Sequence, residues 1–530
     1  MVTTMLDLLD VGVRSGAAVR FPELGLSLRA DEVAARAARA AGAWREVAAP
    51  GQPVVIAVGN GPDVLVAFLG ASWAGLVPTI LPPPNPFADP QRWVAHTTAT
   101  ARKAGNAPIA VPSYAVEPLR GHPLANGLVV LPVESLPDHA PIEAHVAGSE
   151  DPAFLQFTSG SLAAPKGVVI SHRAIAAHCA GAIARFGFAP GEHGVFWIPM
   201  CHDMGLASCL SLLGGGSDQS ILSTEGFARD PSIWLAACGT GTVTAGPPFA
   251  FARAMMRARA APNLGSLRSA TVGAEPLDAR LLRTFTAWSG KERLFVPGYG
   301  LAETVCGIVS GFVDDGLTTV FVRGAFIAGS PAPVVDAATP GALELVGHGP
   351  AFDGHGVRVV LDDGSVARDG VVGHVQLTGP SNCSGYFEDA EASAALFDGA
   401  WIRTGDVGFV LADRLYLVGR SKDVIISRGR HVFPEEIEVA AGDVAGVRPL
   451  GVCAFGEPDP SGGAEQITVL FAPEDPAQAA LVGRAIAEAV ADRLGVAVDH
   501  VVPIERSALP RTTSGKLRRG VARATWGHHR

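Results

Sequence analysis

Apolar positions along the chain switch repeatedly between two spacings. Residues 31–47 are Ala-rich with charged residues at helical spacing, and Val54-Val55-Ile56-Ala57-Val58 follows as an unbroken apolar run. A short β-branched run ended by Gly59-Asn60-Gly61-Pro62 predicts a buried strand. Residues 63–73 return to helical spacing, and Val77-Pro78-Thr79-Ile80-Leu81 reads as a second strand. Strand, helix, strand in that order is the pattern of a parallel sheet covered by helices. The alternation recurs from Ala153 to about Tyr299, so the bulk of the chain is predicted to be α/β.

Further on the pattern changes. Gly356-Val357-Arg358-Val359-Val360-Leu361-Asp362-Asp363-Gly364 ends in the Asp-Gly signal of a hairpin, and Gly373-His374-Val375-Gln376-Leu377 alternates again. A strand-rich subdomain is expected there. From about Ser421 the chain has its own set of elements: Val424-Ile425-Ile426, a helix over 434–441, a strand over 466–471 and an Ala-rich helix over 477–494. The expected fold is α/β, with a large N-terminal domain of helix-covered sheets over 1–421 and a small α+β C-terminal domain over 422–530.

Composition narrows the function classes. With 530 residues, 48% hydrophobic and 17% charged, the chain can bury large cores and form more than one domain. A net charge of −10 argues against nucleic acid as a partner. Mean hydropathy is positive, yet the apolar stretches are short and broken by Gly, Pro and charge, so no membrane span is expected. Residues 1–21 carry Asp7, Asp10, Arg14 and Arg20, which does not fit a secretion signal. The seven cysteines are scattered and lack CxxC spacing, which favours a reducing cytoplasm over disulfides or a zinc site.

The chemistry concentrates first at Leu155-Gln156-Phe157-Thr158-Ser159-Gly160-Ser161-Leu162-Ala163-Ala164-Pro165-Lys166-Gly167-Val168. A strand entering a loop of hydroxyls, glycines and one lysine offers backbone N–H groups, side-chain donors and a positive charge to polyphosphate. It is not a Walker loop, because Pro165 replaces the second Gly and Gly167 the magnesium-binding Ser or Thr. By composition alone the loop fits a surface turn equally well. Four further segments follow: Gly298-Tyr299-Gly300-Leu301-Ala302-Glu303-Thr304, Trp401-Ile402-Arg403-Thr404-Gly405-Asp406, Gly419-Arg420-Ser421-Lys422-Asp423 and Thr513-Ser514-Gly515-Lys516-Leu517.

In type and order these segments resemble the acyl-adenylate-forming superfamily of acyl-CoA synthetases, peptide-synthetase adenylation domains and luciferases, over nearly the whole chain. The resemblance implies ATP and Mg²⁺ as cofactors. It makes Thr158, Ser159, Gly160, Ser161 and Lys166 the phosphate loop. Gly273, Ala274, Glu275, Tyr299, Gly300, Leu301, Ala302 and Thr304 become adenine-side contacts, Glu303 the metal ligand, and Asp406 with Arg420 the ribose grip. Tyr299 offers a flat face for adenine and Glu303 an oxygen suited to a hard cation. Taken singly they would better fit a buried aromatic and a capping carboxylate. The resemblance also makes Lys422 the hinge of a mobile C-terminal domain, and Lys516 the catalytic lysine between carboxylate and α-phosphate; alone, Lys516 beside Arg511, Arg518 and Arg519 would fit a solvated basic patch.

Trp197-Ile198-Pro199-Met200-Cys201-His202-Asp203-Met204-Gly205-Leu206, Gly273-Ala274-Glu275-Pro276 and Ser427-Arg428-Gly429-Arg430-His431-Val432-Phe433-Pro434 are similar to the fatty acyl-AMP ligase branch. The chain between Ser310 and Val357 is long enough to hold that branch's insertion. Such enzymes hand the acyl group to the pantetheine of an acyl carrier protein, with free CoA as the alternative acceptor. His202, Met204, Phe249, Phe251 and Gly273 match the stretches lining the acid pocket, and His202 joins Lys516 and Glu303 as a candidate catalytic residue. The uncharged Ala245-Gly246-Pro247-Pro248-Phe249 disfavours an α-amino acid. The sequence departs from the pattern where Leu162-Ala163-Ala164 replaces Thr and Gly, and where His431-Val432-Phe433 replaces Asn-His-Tyr. Two other classes stay open: a degenerate relative that binds without turnover, and an unrelated phosphoryl-transfer enzyme releasing ADP or phosphate.

Overall fold

A computed structural model describes residues 2–84, 90–157, 166–324, 326–427, 430–458, 465–511 and 517–527. The first layer is a parallel four-stranded sheet in the order Val77–Ile80, Pro53–Ile56, Ile109–Val111, Val130–Pro132. Over it lie the helices Ala30–Val47 and Pro62–Trp73. Pro62 starts the second at its first turn, where its missing N–H costs nothing. Every residue from Val64 to Ser72 is buried, because this helix is wedged between neighbours on all sides. Gly70 makes the wedge possible: a Cβ there would lie 2.7 Å from the Ala40 Cβ and 2.9 Å from the Ala37 carbonyl oxygen. Trp44 locks the pair by donating its indole N–H to the Ala67 carbonyl at 3.0 Å.

A second, eight-stranded sheet runs Gly307–Ser310, Phe295–Gly300, Ser269–Val272, Val243–Gly246, His193–Phe196, Asp218–Ile221, Ala18–Phe21, Leu26–Arg29. Its interior is parallel and only the two edge pairs are antiparallel. The expected α/β alternation is therefore present, with one change at its start. Pro152–Phe157 pairs antiparallel with Gly167–Ser171 as a hairpin, so the candidate phosphate loop connects two neighbouring strands.

The strand-rich subdomain is an antiparallel sheet built on Trp401–Leu411, flanked by Gly373–Thr378 and Arg414–Arg420. The Asp-Gly signal at 363–364 forms a tight turn, with Gly364 at φ +83°, but it does not join the paired strands directly. Gly356–Val360 pairs with Gly373–Thr378 across the longer connection 361–372, because Val366 closes a bridge to Val360 and the chain then leaves the ladder. Between the second sheet and this one, Thr319–Val322 pairs with Val334–Val335 and Leu343–Val346 as a small separate antiparallel sheet.

The smaller C-terminal domain has the strands Val447–Glu457, Gln466–Pro473 and His500–Pro503, covered by the helices Pro434–Gly442, Ala479–Leu494 and Arg519–Trp526. Phe326, Leu343 and Phe409 share one apolar cluster with Ile437, Val469 and Ile486, so the small sheet and the strand-rich subdomain pack on this domain's core. Among the described residues no helix is long and apolar enough to cross a membrane. All seven cysteines are free thiols.

Candidate functional site

Strand register assembles the first half of the site. Asp406 and Arg420 are cross-strand partners in the pairing of Trp401–Leu411 with Arg414–Arg420. Their side chains meet directly, with Arg420 Nε 3.1 Å from Asp406 Oδ1. Tyr299, from the eight-stranded sheet, donates its hydroxyl to Asp406 Oδ2 at 2.6 Å. Burial, reinforced by the Asp406 charge, pushes the Tyr299 phenol well above its usual range, so it stays a protonated donor. His348 lies 5.8 Å from the Tyr299 ring, and burial pulls its pKa down to about 4, leaving it neutral. Thr404 fixes the Asp406 backbone, accepting its N–H at 3.0 Å and donating to the Val375 carbonyl at 2.8 Å.

Two glycines let the loops reach this point. A Cβ on Gly273 would stand 2.5 Å from the Gly298 carbonyl oxygen, and one on Gly300 would stand 2.4 Å from the Cys306 carbonyl oxygen. Ala274 follows at φ +67°, a left-handed turn that carries the chain to Glu275. Leu301 leads into the tight turn Ala302–Thr304, where the Thr304 hydroxyl donates to the Cys306 carbonyl at 2.8 Å. Val305, at φ +68°, is a β-branched residue in the left-handed region, a strained conformation concentrated where backbone geometry is over-determined.

That turn presents Glu303, and a residue not expected from the sequence meets it. Tyr386 donates its hydroxyl to Glu303 Oε1 at 2.6 Å, and the Lys166 ammonium lies 4.8 Å from the centroid of the same ring. Burial and the Glu303 charge push the Tyr386 phenol up, so it too remains a donor. Tyr386 is held there by backbone pairing: Phe387 N–H donates to Gly167 at 2.7 Å, and Val169 N–H to Gly385 at 2.9 Å. The strand Gly167–Ser171 is thereby stitched to the segment carrying Tyr386. In the sequence only Gly385-Tyr386-Phe387 marks the place, with no periodicity to distinguish it.

Thr158, Ser159, Gly160, Ser161 and Lys516 lie outside the described residues. Lys422 is exposed in the turn Ser421–Asp423, directly after Arg420. Beside the stretch expected to line an acid pocket, Asn60 donates to the carbonyls of Trp197, Ile198 and Leu222 and accepts the Met200 N–H at 2.9 Å. This clasp fixes the loop that ends at His202, the N-cap of the helix Asp203–Gly214, with Met204 in its first turn. Phe249 is buried edge-on to Trp197, with ring centroids 6.1 Å apart. Phe251 is 1% exposed and packs on Trp234, Phe285 and Phe295, so it buttresses the wall from within the aromatic core.

Residues 21–387 match the profile of the AMP-binding enzymes. The chain belongs to the AMP-binding enzyme family. This AMP-binding enzyme is 30% identical over 506 residues to a Caulobacter vibrioides protein provisionally named an acyl-CoA synthetase, covering 90% of this chain and 86% of that one. It is 27% identical over 562 residues to the long-chain-fatty-acid–AMP ligase FadD32 of Mycolicibacterium smegmatis, covering 93% and 88%. A structure from work on fatty acyl-adenylate ligases of E. coli and L. pneumophila superposes with a TM-score of 0.88 at 26% identity, covering 99% of this chain and 97% of that one. In this AMP-binding enzyme, no cluster of three or more His, Cys, Asp or Glu among the described residues is arranged to hold a metal. The Glu303 carboxylate, with Oε1 accepting from Tyr386, is a lone hard-oxygen group, which would fit a cation completed by other oxygens rather than an all-protein cage.

Proposed function

We propose that the protein joins an apolar carboxylic acid to AMP, releasing pyrophosphate, and then passes the acyl group to the pantetheine thiol of an acyl carrier protein in the cytoplasm. The Tyr299–Asp406–Arg420 arrangement carries this reading. A largely buried carboxylate, oriented by a phenol and paired to a half-exposed arginine, is built to accept hydrogen bonds from two ribose hydroxyls. Tyr299, Gly300, Leu301, Ala302 and Thr304 flank the adenine, with Gly273, Ala274 and Glu275 opposite. Thr158, Ser159, Gly160, Ser161 and Lys166 take the phosphates.

The reaction asks little covalent chemistry of the protein, because a carboxylate is already a nucleophile. Lys516 neutralises charge between the carboxylate and the α-phosphate as the oxygen attacks. His202 and Met204 position the acid, with Phe249 and Phe251 behind them. Glu303 would hold Mg²⁺, which would supply positive charge to the departing pyrophosphate oxygens. The domain boundary falls between 421 and 422, with Lys422 as the hinge that exchanges Lys516 for Gly429 before the thiol arrives.

The test is pyrophosphate release with ATP, Mg²⁺ and a panel of aliphatic, aryl and amino acids. Release with one class of acid, AMP or acyl-AMP as coproduct, and collapse in Lys516→Ala supports the reading; release of ADP overturns it. The provisional name of the Caulobacter relative favours one second reading, in which free CoA is the acceptor. Acyl transfer to CoA at the rate seen with a carrier protein would select it.

A further inference from the structure

Tyr386 stands between two groups of opposite charge and touches both. Its hydroxyl bonds Glu303 Oε1 at 2.6 Å, and its ring face carries the Lys166 ammonium 4.8 Å from the centroid. Among the described residues neither Glu303 nor Lys166 makes an ion pair. A lysine and a glutamate this near would gain by closing on each other, more so in a half-buried site than in open water. Here one aromatic ring lies between them. A phenol hydroxyl orients a carboxylate without cancelling its charge, and a ring face attracts an ammonium through its quadrupole without adding a negative ion. Both charges are therefore held, and neither is neutralised.

A ring can keep two charges apart only if it is itself fixed, and the Tyr386 backbone is held on both sides. Its N–H donates to Ser393 Oγ at 2.8 Å, and the Ser393 hydroxyl donates in turn to the Asp389 carbonyl at 2.7 Å. Asp389 caps the helix Ala390–Leu396 by accepting the Ala392 N–H at 3.0 Å. On the other side Val168 forms an antiparallel bridge with Tyr386. Gly385 makes the close approach possible: its φ is +125°, and a Cβ there would stand 2.8 Å from Ser393 Oγ. The same stretch also holds the Glu303 main chain, because the Cys383 N–H donates to the Glu303 carbonyl at 2.8 Å. Cys383 thus grips Glu303 by its backbone and Tyr386 grips it by its carboxylate.

We propose that Tyr386 is a positioning residue that works as a spacer: it keeps the Glu303 carboxylate and the Lys166 ammonium apart, each aimed and each with its charge intact, before ATP arrives. Resting on the adenylate-forming reading above, which gives those two residues their ligands, the spacer role assigns a function to a side chain which that reading leaves out. Charges set in place beforehand need no rearrangement when the ligand binds. Phenylalanine at 386 would keep the ring and the separation and lose only the aim of Glu303. Leucine would lose both. Lys166 would then close on Glu303, and each would cancel a charge that the nucleotide and its cation need.

The experiment is calorimetric ATP binding, in EDTA and across an Mg²⁺ series, for the parent, Tyr386→Phe, Tyr386→Leu, Glu303→Gln and the double variant Tyr386→Leu/Glu303→Gln. Tyr386→Phe should leave the metal-free ATP Kd within about twofold, because the ring face is kept, and should raise the Mg²⁺ needed for half of the affinity gain several-fold. Tyr386→Leu should in addition raise the metal-free Kd about fivefold. Removing the Glu303 charge eases the approach of metal-free ATP in any background, so the deciding quantity is the excess. Glu303→Gln should tighten ATP several-fold more in the leucine background than in the parent, because there it also releases Lys166. A ring that only filled space would give equal gains in the two backgrounds, and equal gains overturn the proposal. Should Tyr386→Leu fail to fold, Tyr386→Met fills the same space without an aromatic face and replaces it in the cycle. An unchanged Mg²⁺ series in Tyr386→Phe overturns the proposal in either case. Failure of the adenylate-forming reading shows separately, as a parent that binds ATP without acid-dependent pyrophosphate release, and the binding cycle then still decides the spacer. A parent that does not bind ATP overturns both.

Discussion

Two arginine–carboxylate clusters lie on either side of Lys422, and they are built to opposite ends. In the large domain, Arg420 meets a single carboxylate, Asp406; the arginine side chain is 54% exposed and the carboxylate 13%. In the C-terminal domain, Arg519 gathers Glu435 at 2.9 Å, Glu438 at 2.7 Å and Asp423 at 3.6 Å, with its side chain 16% exposed. The first cluster keeps an arginine face open to water beside an oriented carboxylate, which is what a ligand needs. The second spends one guanidinium on three carboxylates, holding the end of the turn Ser421–Asp423 and the helices Pro434–Gly442 and Arg519–Trp526 together. An arginine–carboxylate pair therefore says little about function until its unused valences are counted.

The largest expected effect breaks the closed cluster. Arg519→Met leaves buried carboxylates unpaired and should cost about 3–5 kcal/mol of stability, measured by urea unfolding of the full chain. Loss below about 1 kcal/mol would mean that the carboxylates find water. Asp406→Ala tests the open cluster and should do the reverse: a rise in KM for ATP of about 10- to 100-fold, with the melting temperature nearly unmoved. A large melting shift with little change in KM would make Asp406 structural.

A pH series separates the clusters further. Burial pushes Glu436 from 4.5 up to about 8, and Glu435 up to about 7, with Arg519 opposing and Glu438 adding to the second shift. Between pH 4.5 and 8 the folded protein holds protons that the unfolded chain has released, so stability falls as pH rises through that window. Glu436→Gln keeps an acceptor for the Phe433 N–H, now at 3.0 Å, and removes part of that slope. Its melting temperature relative to the parent should rise by a few degrees at pH 8 and not at pH 5. The smallest effect is Tyr386→Phe, which frees Glu303 Oε1 and should raise the Mg²⁺ needed for half-maximal pyrophosphate release several-fold.

Most of the open cluster was legible in the sequence because its residues sit in short segments rich in Gly, Thr and Asp, where composition and order both carry information. In the fold Tyr299 and Arg420 both reach Asp406. Tyr386 was not legible, since a pairing between Val168 and Tyr386 joins segments far apart in the chain and leaves no local pattern. The closed cluster escaped for a related reason: Glu435 and Glu438 read as an ordinary exposed helix start until Arg519 covers them. Phe251 shows the converse. Its apolar type is visible in the sequence, but only packing reveals that its ring belongs to the core with Phe285 and Phe295. At 361–372 the Asp-Gly signal marked a turn, while the length of the connection to the pairing strand was not legible, because a turn fixes local direction and register is decided by the strand beyond it.

The register pairing of Asp406 with Arg420 also has a kinetic side. These two residues belong to one hairpin, so bringing them together closes only a short loop and can happen early in folding. Tyr299 must arrive across a separation of 107 residues, after two different sheets have docked. Half of the cradle thus forms locally and the other half only on global assembly. In a refolding time course, recovery of ATP binding will follow the slowest docking step rather than the appearance of strand structure.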